Sequence, residues 1–185
     1  SLGKQIRLNR IFGHETGRLC SLAVDHLVAY QNGLPEGLRN VPETIDLLVK
    51  GKPDAITMYK GMAQYAWQPH AGSIPLIITS IAFSLDDAVM HQMARPHECI
   101  RLGADAISAA IALRSKREGD YLKMLTTIVE EAAQYDLPVI AHIYPRDFSG
   151  EPKVVHDPEN ILYAVRCGIE LGADVIKVPY TGDVQ

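Results

Sequence analysis

Lys177 lies inside an apolar run, Val175-Ile-Lys-Val-Pro179, that predicts a buried strand. Lysine is almost never fully buried without a reason, because it is costly to remove the ammonium group from water. A buried amine is held partly in its neutral form, which can attack a carbonyl carbon. The alternative is a lysine that points outward or pairs with a carboxylate. Lys60 is a second candidate, but Gly61 follows it and we expect it in a loop.

Other polar side chains stand where further predicted strands end. His142 and Tyr144 are two residues apart and would share one face of a strand. A tyrosine hydroxyl near an amine can act as a general acid or base. Asp25 could orient a substrate hydroxyl or the lysine, although such a residue is more often a structural cap. His26 could bind substrate or hydrogen-bond a loop. The set therefore indicates carbonyl chemistry with proton transfer.

A metal site is the competing chemistry, because the imidazole and carboxylate groups of Asp25, His26 and His142 suit several divalent ions. The sequence has no HExxH or closely spaced His-x-His motif, and His91 and His97 fall in a predicted helix. Neither GxGxxG nor GxxxxGK[ST] is present, so a nucleotide-binding loop has no support. We expect no catalytic metal and no cofactor.

Short β-branched runs alternate with longer amphipathic segments along the chain. The runs are continuously apolar, which is typical of parallel strands covered by helices on both faces. The predicted strands are Leu22–Asp25, Ala55–Tyr59, Leu76–Ser80, Ala106–Ile111, Val139–Tyr144 and Val175–Tyr180. The predicted helices are Val41–Lys50, Asp86–Leu102, Asp120–Tyr135 and Pro158–Leu171.

Three turns repeat one pattern: Gly51-Lys-Pro-Asp54, Gly103-Ala-Asp105 and Gly172-Ala-Asp174. Each would close a helix with a glycine at positive φ and then open a strand. Turns of this kind lie at the N-terminal ends of barrel strands, so we interpret their aspartates as structural. Functional groups are then expected at the opposite, C-terminal ends of the strands.

Six strands are predicted in the 185 residues, and this number limits the architectures that the chain can form. A complete eight-stranded barrel typically needs about 250 residues. We predict an α/β fold of the (β/α)8 TIM barrel type with about six βα units visible. We expect a single domain over residues 1–185 that lacks the last two strands. An open six-stranded parallel sheet is the alternative.

Composition excludes several classes of partner. The net charge is −4 and no basic run occurs, so we expect neither nucleic acid nor an anionic membrane as a partner. Apolar stretches such as Ser73–Phe83 are shorter than the roughly 20 residues of a membrane span. Cys20, Cys99 and Cys167 are widely spaced and odd in number, which predicts small buried thiols in a reduced, cytoplasmic compartment.

Four segments of the sequence resemble those of the DeoC/LacD-type class I aldolases, and within them the archaeal-type fructose-bisphosphate aldolases and their relatives. The match is in register over nearly the whole chain, and the last segment is the most specific. The segments are Arg10-Ile-Phe…Thr16-Gly-Arg18 leading to Ala23-Val-Asp-His26, Lys60-Gly61, Ile143-Tyr-Pro-Arg146, and Gly172-Ala-Asp-Val-Ile-Lys-Val-Pro-Tyr-Thr-Gly-Asp183.

The resemblance implies a Schiff-base aldolase in which Lys177 is the nucleophile, Tyr144 transfers protons and Asp25 assists. It implies a (β/α)8 barrel, no metal requirement and a symmetric homo-oligomer. The substrate would be a phosphorylated ketose such as fructose 1,6-bisphosphate. The expected substrate contacts are His26, His142, Arg146 and Lys60.

Departures from the family pattern leave the substrate open. Leu27 follows Asp-His where the family commonly has glycine, and His142 stands where sugar-phosphate aldolases often carry an aromatic residue. The glycine-rich phosphate-binding loops that follow strands seven and eight are not seen. Arg114, Ser115 and Arg146 are possible phosphate contacts in their place.

Three alternatives therefore stand beside the ketose aldolase. A sibling enzyme could use the same lysine to make an aminodideoxy-heptulosonate or to transfer an acyl group from a phosphorylated dione. A metal-dependent lyase is the second alternative. The third is a non-catalytic barrel fragment or binding protein.

Overall fold

A computed structural model describes residues 1–26 and 33–182, so Leu27 and Asp183 lie outside the described residues. Within the described ranges the chain contains six α-helices and nine β-strands. The helices are α1 (Leu2–Ile11), α2 (Val41–Lys50), α3 (Lys60–Ala66), α4 (Pro96–Arg101), α5 (Glu118–Ala133) and α6 (Pro158–Glu170). The strands are β1 (Ser21–Ala23), β2 (Ala55–Met58), β3 (Leu76–Thr79), β4 (Ile81–Phe83), β5 (Met90–Gln92), β6 (Ala106–Leu113), β7 (Val139–Asp147), β8 (Lys153–Val154) and β9 (Val175–Lys177).

Six of these strands form one parallel sheet in the order β1-β2-β3-β6-β7-β9. β8 adds to the far end of β7 in the antiparallel sense, and β4 and β5 form a separate antiparallel hairpin. Every residue of β2 and β3 is buried, as expected of strands covered on both faces. The architecture is an α/β half-barrel, which confirms the predicted fold class.

The outer helices pack on the sheet through one apolar stripe each. In α5, the longest of them, the buried residues recur at helical spacing and face β6 and β7. They are Tyr121, Leu125, Ile128 and Ala132. No helix in the described residues is long and apolar enough to cross a membrane. The cysteine prediction is wrong for Cys20, which is exposed, whereas Cys99 is buried.

Helix α1 covers the N-terminal end of the half-barrel and was missed from sequence. Its last residue, Ile11, is fully buried among Ala55, Ile77, Ala106 and Ile140, which point into the barrel interior. Ile11 and these residues close the N-terminal end of the barrel interior with apolar side chains. The polar groups of the interior therefore lie toward its other end.

The aspartates of the three repeated turns are structural, as predicted. Each accepts a hydrogen bond from the backbone N–H that opens a neighbouring strand. The bonds are Cys20 N to Asp54 Oδ2 (2.7 Å), Leu76 N to Asp105 Oδ2 (3.4 Å) and Val139 N to Asp174 Oδ2 (2.9 Å). Two of these aspartates also anchor α1 through ion pairs, Arg10 with Asp105 and Lys4 with Asp174.

The glycine prediction for these turns holds at two of the three positions. Gly103 and Gly172 adopt φ values of 75° and 80° after their helices. Gly51 has a φ of −73°, and the positive φ falls on Lys52 instead. The first turn is one residue longer than the others, so the left-handed residue moves one place along the chain.

The predicted helix Asp86–Leu102 is wrong over its first half, where the chain forms the β4–β5 hairpin. The helix begins only at Pro96, because a proline ring forces the residue before it into an extended conformation. Arg95 has φ −104° and ψ 156°, which ends any helical turn there. His91 therefore lies in a strand. Lys60 is also placed differently from the prediction, since it starts α3 and does not lie in a loop.

Gly168 lets α6 approach the sheet closely. A Cβ atom at this position would lie 2.8 Å from Ile176 Cδ1 and 3.0 Å from Ile143 Cδ1. We expect Gly168→Val to lower the free energy of unfolding by about 1–3 kcal/mol, because the added methyl groups overpack the interface. Gly119→Val is the matched control in a helix, since a Cβ at Gly119 meets nothing within 4 Å. Urea denaturation that shows equal stability for the two variants would contradict this packing.

Candidate active site

The C-terminal ends of the parallel strands surround a cavity of about 310 Å³. Its wall combines polar side chains from the parallel sheet with apolar side chains from the β4–β5 hairpin. The lining residues used below are Asp25, His26, Phe83, Leu85, His142, Tyr144, Arg146 and Lys177. Six of the seven predicted site residues thus meet at one cavity, and Lys60 does not line it.

Strands β7 and β9 bring three of these side chains together. His142 and Lys177 are direct partners in the parallel register, so they lie side by side on adjacent strands. Tyr144 lies two residues beyond His142 and shares its face of β7. All three side chains line the cavity. An amine, an imidazole and a phenol therefore occupy one wall.

Lys177 is exposed, which overturns the expectation that it is buried. The apolar residues around it suggested a strand covered on both sides. In the described part of the chain β9 pairs with β7 alone. The evidence for a special role of this amine is therefore its set of neighbours and not its burial.

Asp25 reaches the cavity from the residues that follow β1 and is held by a threonine. Thr79 Oγ1 donates a 2.6 Å hydrogen bond to Asp25 Oδ2 and lies 3.2 Å from Ser108 Oγ. Thr79 and Ser108 are buried. Sequence reasoning placed Thr79 at a strand end without giving it a role, and it missed Ser108. The available signal for Thr79 was its place at the end of β3, whereas Ser108 lies inside β6 as its register partner.

Tyr144 is kept protonated by its surroundings. Burial raises the pKa of the Tyr144 phenol, and the negative charge of Asp25 raises it further. The ring packs near Phe83, with 6.4 Å between the ring centroids. A protonated phenol facing a carboxylate and an amine can donate a proton within the cavity.

His142 is neutral at ordinary pH. Burial lowers the pKa of this imidazole to about 3, and the adjacent Lys177 cation acts in the same direction. A neutral imidazole offers one N–H donor and one nitrogen acceptor. His142 is thus a hydrogen-bonding group in the wall and not a second cation.

Acidification should destabilise the fold through His142. The unfolded chain takes up this proton near pH 6.5, whereas the folded chain resists it to about pH 3. In that window the unfolded state binds more protons than the folded state. The free energy of unfolding therefore decreases as the pH is lowered, by up to about 1.4 kcal/mol per pH unit. We expect His142→Asn to be less acid-sensitive than the wild type in urea denaturation at pH 7 and pH 5. His97→Asn, at an exposed site outside the cavity, is the matched control.

Arg146 lies in the cavity wall but is only 4% exposed. Its Nη1 donates to Leu85 O (2.6 Å) and to Asp87 Oδ1 (3.1 Å). The guanidinium also lies 4.5 Å from the centre of the Phe83 ring. Arg146 therefore both lines the cavity and binds the hairpin.

Lys60 and Arg114 point to other places. Lys60 Nζ donates a 2.6 Å hydrogen bond to Glu98 Oε1, beside the cavity wall rather than in it. Arg114 lies 3.8 Å from the centre of the Tyr163 ring and does not line the cavity. His26 is exposed at the rim, where the cavity meets the groove next to Lys60.

The donors proposed for a metal do not assemble. Among residues 1–26 and 33–182, no three His, Cys, Asp or Glu side chains form a group that could hold an ion. Asp25 is engaged by Thr79, and His142 lies against Lys177. The arrangement suits carbonyl addition with proton transfer.

Comparison with known proteins matches this geometry to one family. The family model of the DeoC/LacD aldolases matches residues 19–185. A 2-amino-3,7-dideoxy-D-threo-hept-6-ulosonate synthase of Halobacterium salinarum is 31% identical over 186 residues, covering 99% of this chain and 67% of that protein. A class 1 fructose-bisphosphate aldolase of Thermoproteus tenax is 32% identical over 184 residues, covering 94% and 66%. The chain thus spans about two thirds of the length of these relatives.

Solved structures agree. An archaeal fructose-1,6-bisphosphate aldolase, captured with its catalytic lysine covalently bound to the carbinolamine intermediate of the substrate, superimposes with a TM-score of 0.79. It is 29% identical, and the match covers 97% of this chain and 72% of that one. The half-barrel, its cavity at the C-terminal strand ends and the family match lead to one conclusion. This chain belongs to the DeoC/LacD family of aldolases.

Proposed function

We propose that this protein is a Schiff-base-forming class I aldolase that cleaves and forms a carbon–carbon bond in a phosphorylated ketose such as fructose 1,6-bisphosphate. The observation that carries the proposal is the meeting of Lys177, Tyr144 and Asp25 at one cavity. These three groups supply a nucleophile, a proton donor and a carboxylate. Family membership and the lysine-bound carbinolamine of the archaeal aldolase support it.

The first half of the mechanism forms the imine. Lys177 Nζ attacks the ketone carbon, the π electrons of the carbonyl move to its oxygen, and the proton lost by the nitrogen is transferred to that oxygen to give the carbinolamine. Tyr144, kept protonated by burial and by Asp25, donates its proton to the carbinolamine hydroxyl. Water then leaves, and the nitrogen lone pair forms the iminium. Neither step needs a metal, because the iminium itself withdraws electrons.

The second half breaks the carbon–carbon bond. Asp25, oriented by Thr79, accepts the proton of the hydroxyl whose carbon becomes the aldehyde. The bonding electrons move to the iminium and leave an enamine on Lys177. Protonation and hydrolysis of that enamine release the second product. The neutral imidazole of His142 and the side chains of His26 and Arg146 would contact the bound substrate.

A sibling activity, synthesis of an aminodideoxy-heptulosonate, is the second candidate. One observation favours it, since the cavity carries the polar, neutral His142 beside Lys177. An imidazole there can hydrogen-bond a carbonyl or hydroxyl next to the reacting carbon. The Halobacterium salinarum relative bears the name of that synthase. Both candidates use the same imine.

Borohydride reduction separates these possibilities. The purified protein is treated with sodium borohydride in the presence of dihydroxyacetone phosphate, fructose 1,6-bisphosphate, an unphosphorylated ketone or a dione, and the adduct is mapped by peptide mass. We expect a stable secondary amine on Lys177 with a phosphorylated ketose. An adduct with diones but not with the ketose phosphates would move the substrate to the sibling class. No adduct with any carbonyl compound would overturn the imine mechanism.

A further inference from the structure

The β4–β5 hairpin, with its connecting tip of residues 84–89, supplies the apolar wall of the cavity. Phe83 and Leu85 from this segment line the cavity together with the polar side chains of the sheet. The base of the hairpin is tied to the sheet by backbone bonds such as Ser80 N to Ser108 O at 2.7 Å. The tip itself receives hydrogen bonds from the side chains of Arg117, Tyr121 and Arg146.

Asp87 is the point where the tip is attached. Arg146 of β7 and Tyr121 of α5 both donate to Asp87 Oδ1, at 3.1 Å and 2.7 Å. Arg146 also binds the carbonyl oxygens of Ser84 (3.3 Å) and Leu85 (2.6 Å). Three elements, the hairpin, β7 and α5, therefore converge on one carboxylate.

The attachment is buried and costly. The side chains of Asp87 and Arg146 are 7% and 2% exposed, and Tyr121 is fully buried. Within the described residues, Asp87 Oδ2 and Arg146 Nε are buried without a hydrogen-bond partner. A buried pair with unsatisfied atoms contributes little net stability, although removal of one partner leaves the other charge uncompensated. The role that we assign to the Asp87–Arg146 pair is to hold the apolar wall of the cavity in one position.

The aromatic rings extend the same contact. Phe83 packs edge-on against Tyr121 at 5.7 Å and beneath the Arg146 guanidinium at 4.5 Å. On its cavity side, the Phe83 ring is 6.4 Å from the ring of Tyr144, the proposed proton donor. A shift of the tip would therefore move the surface against which Tyr144 and the substrate pack.

We propose that Asp87, acting through Arg146 and Tyr121, is a positioning residue that holds the β4–β5 hairpin against the cavity and so sets how tightly the ketone binds before it reacts with Lys177. The inference rests on the proposed imine-forming function. It assigns Asp87 no contact with the reacting atoms. Its effect is on substrate binding, and the chemical step itself is left intact.

Asp87→Asn tests the proposal with little change of shape. The backbone of Asp87 has a φ of 58°, a left-handed conformation that asparagine also tolerates. Asp46→Asn is the matched control, because Asp46 is an exposed carboxylate that is hydrogen-bonded to His70 and lies outside the cavity. Borohydride trapping is measured against dihydroxyacetone phosphate concentration, and hydrogen exchange is followed in the peptide covering residues 81–92.

For Asp87→Asn we expect the half-saturating ketone concentration to rise about tenfold, while the plateau of trapped Lys177 stays within twofold of the wild type. Exchange in residues 84–89 should accelerate at least about tenfold. A folded Asp87→Asn protein with unchanged half-saturation would overturn the proposal. A proportional loss of plateau and folded fraction would also overturn it, since that indicates a stability role alone.

Two further comparisons keep the test decisive. Should Asp87→Asn fail to fold, Tyr121→Phe removes one donor to the carboxylate and keeps the ring, and it should raise half-saturation in the same direction. If the wild type traps no ketone, the proposed function fails by itself. The exchange measurement then decides whether Asp87 holds the hairpin.

Discussion

Lys177→Met should abolish both carbon–carbon cleavage and the borohydride-dependent mass gain of the protein. Methionine keeps the length of the side chain but has no nucleophilic nitrogen, so no carbinolamine can form. We expect the rate of ketose cleavage to fall by at least about 10³-fold, as is usual when a covalent nucleophile is removed. The measurement is a coupled cleavage assay together with intact mass after reduction.

The control for this experiment is Lys123→Met, which removes an exposed lysine from the outer face of α5. It should keep activity and trapping within twofold of the wild type. The outcome that would contradict the assignment involves Lys60, the second candidate nucleophile, which pairs with Glu98 outside the cavity. An adduct that survives in Lys177→Met and maps to Lys60 would reassign the nucleophile.

Tyr144→Phe should slow imine formation and product release while leaving the cavity wall in place. The phenyl ring retains the contact with Phe83, but the proton that leaves with the carbinolamine hydroxyl is lost. Removal of a positioned general acid typically costs about 10²–10⁴-fold in rate. Single-turnover trapping should therefore reach the wild-type plateau slowly, and kcat should fall more than the half-saturating concentration changes.

Tyr163→Phe is the matched control for this variant. Tyr163 donates a hydrogen bond to a carboxylate, Glu118 Oε1 at 2.6 Å, but it lies outside the cavity. Its loss should leave the trapping rate within twofold of the wild type. Equal slowing of the two variants would mean that the effect of Tyr144→Phe comes from stability and not from proton transfer.

Much of the fold could be predicted because its signals are local. Continuous β-branched runs predicted all six parallel strands, and helix α2 was predicted to its exact ends, Val41 and Lys50. The aspartates of the three repeated turns were correctly interpreted as structural, because a short side chain just before a strand can reach the backbone N–H at the start of a neighbouring strand. The same logic predicted that polar groups would gather at the opposite ends of the strands.

Elements whose stability comes from distant partners were missed. Helix α1 has a weak apolar pattern, and its place is decided by Ile11, which fills the floor of the barrel. The β4–β5 hairpin was taken for a helix because residues 86–95 carry no strong strand pattern. Their conformation depends on Asp87, which binds Arg146 and Tyr121 far along the chain.

The sequence by itself determined the parallel α/β architecture and the residues that reach the C-terminal strand ends, because periodicity and turn chemistry act over a few residues. The family followed from the resemblance of four segments to the DeoC/LacD aldolases. Only the tertiary structure decided the exposure, protonation and contacts of those residues. It leaves Lys177 exposed, makes His142 a neutral group beside it and binds Arg146 to the hairpin. Burial, pKa and ion pairing arise from groups that are remote in sequence and meet only when the sheet curves.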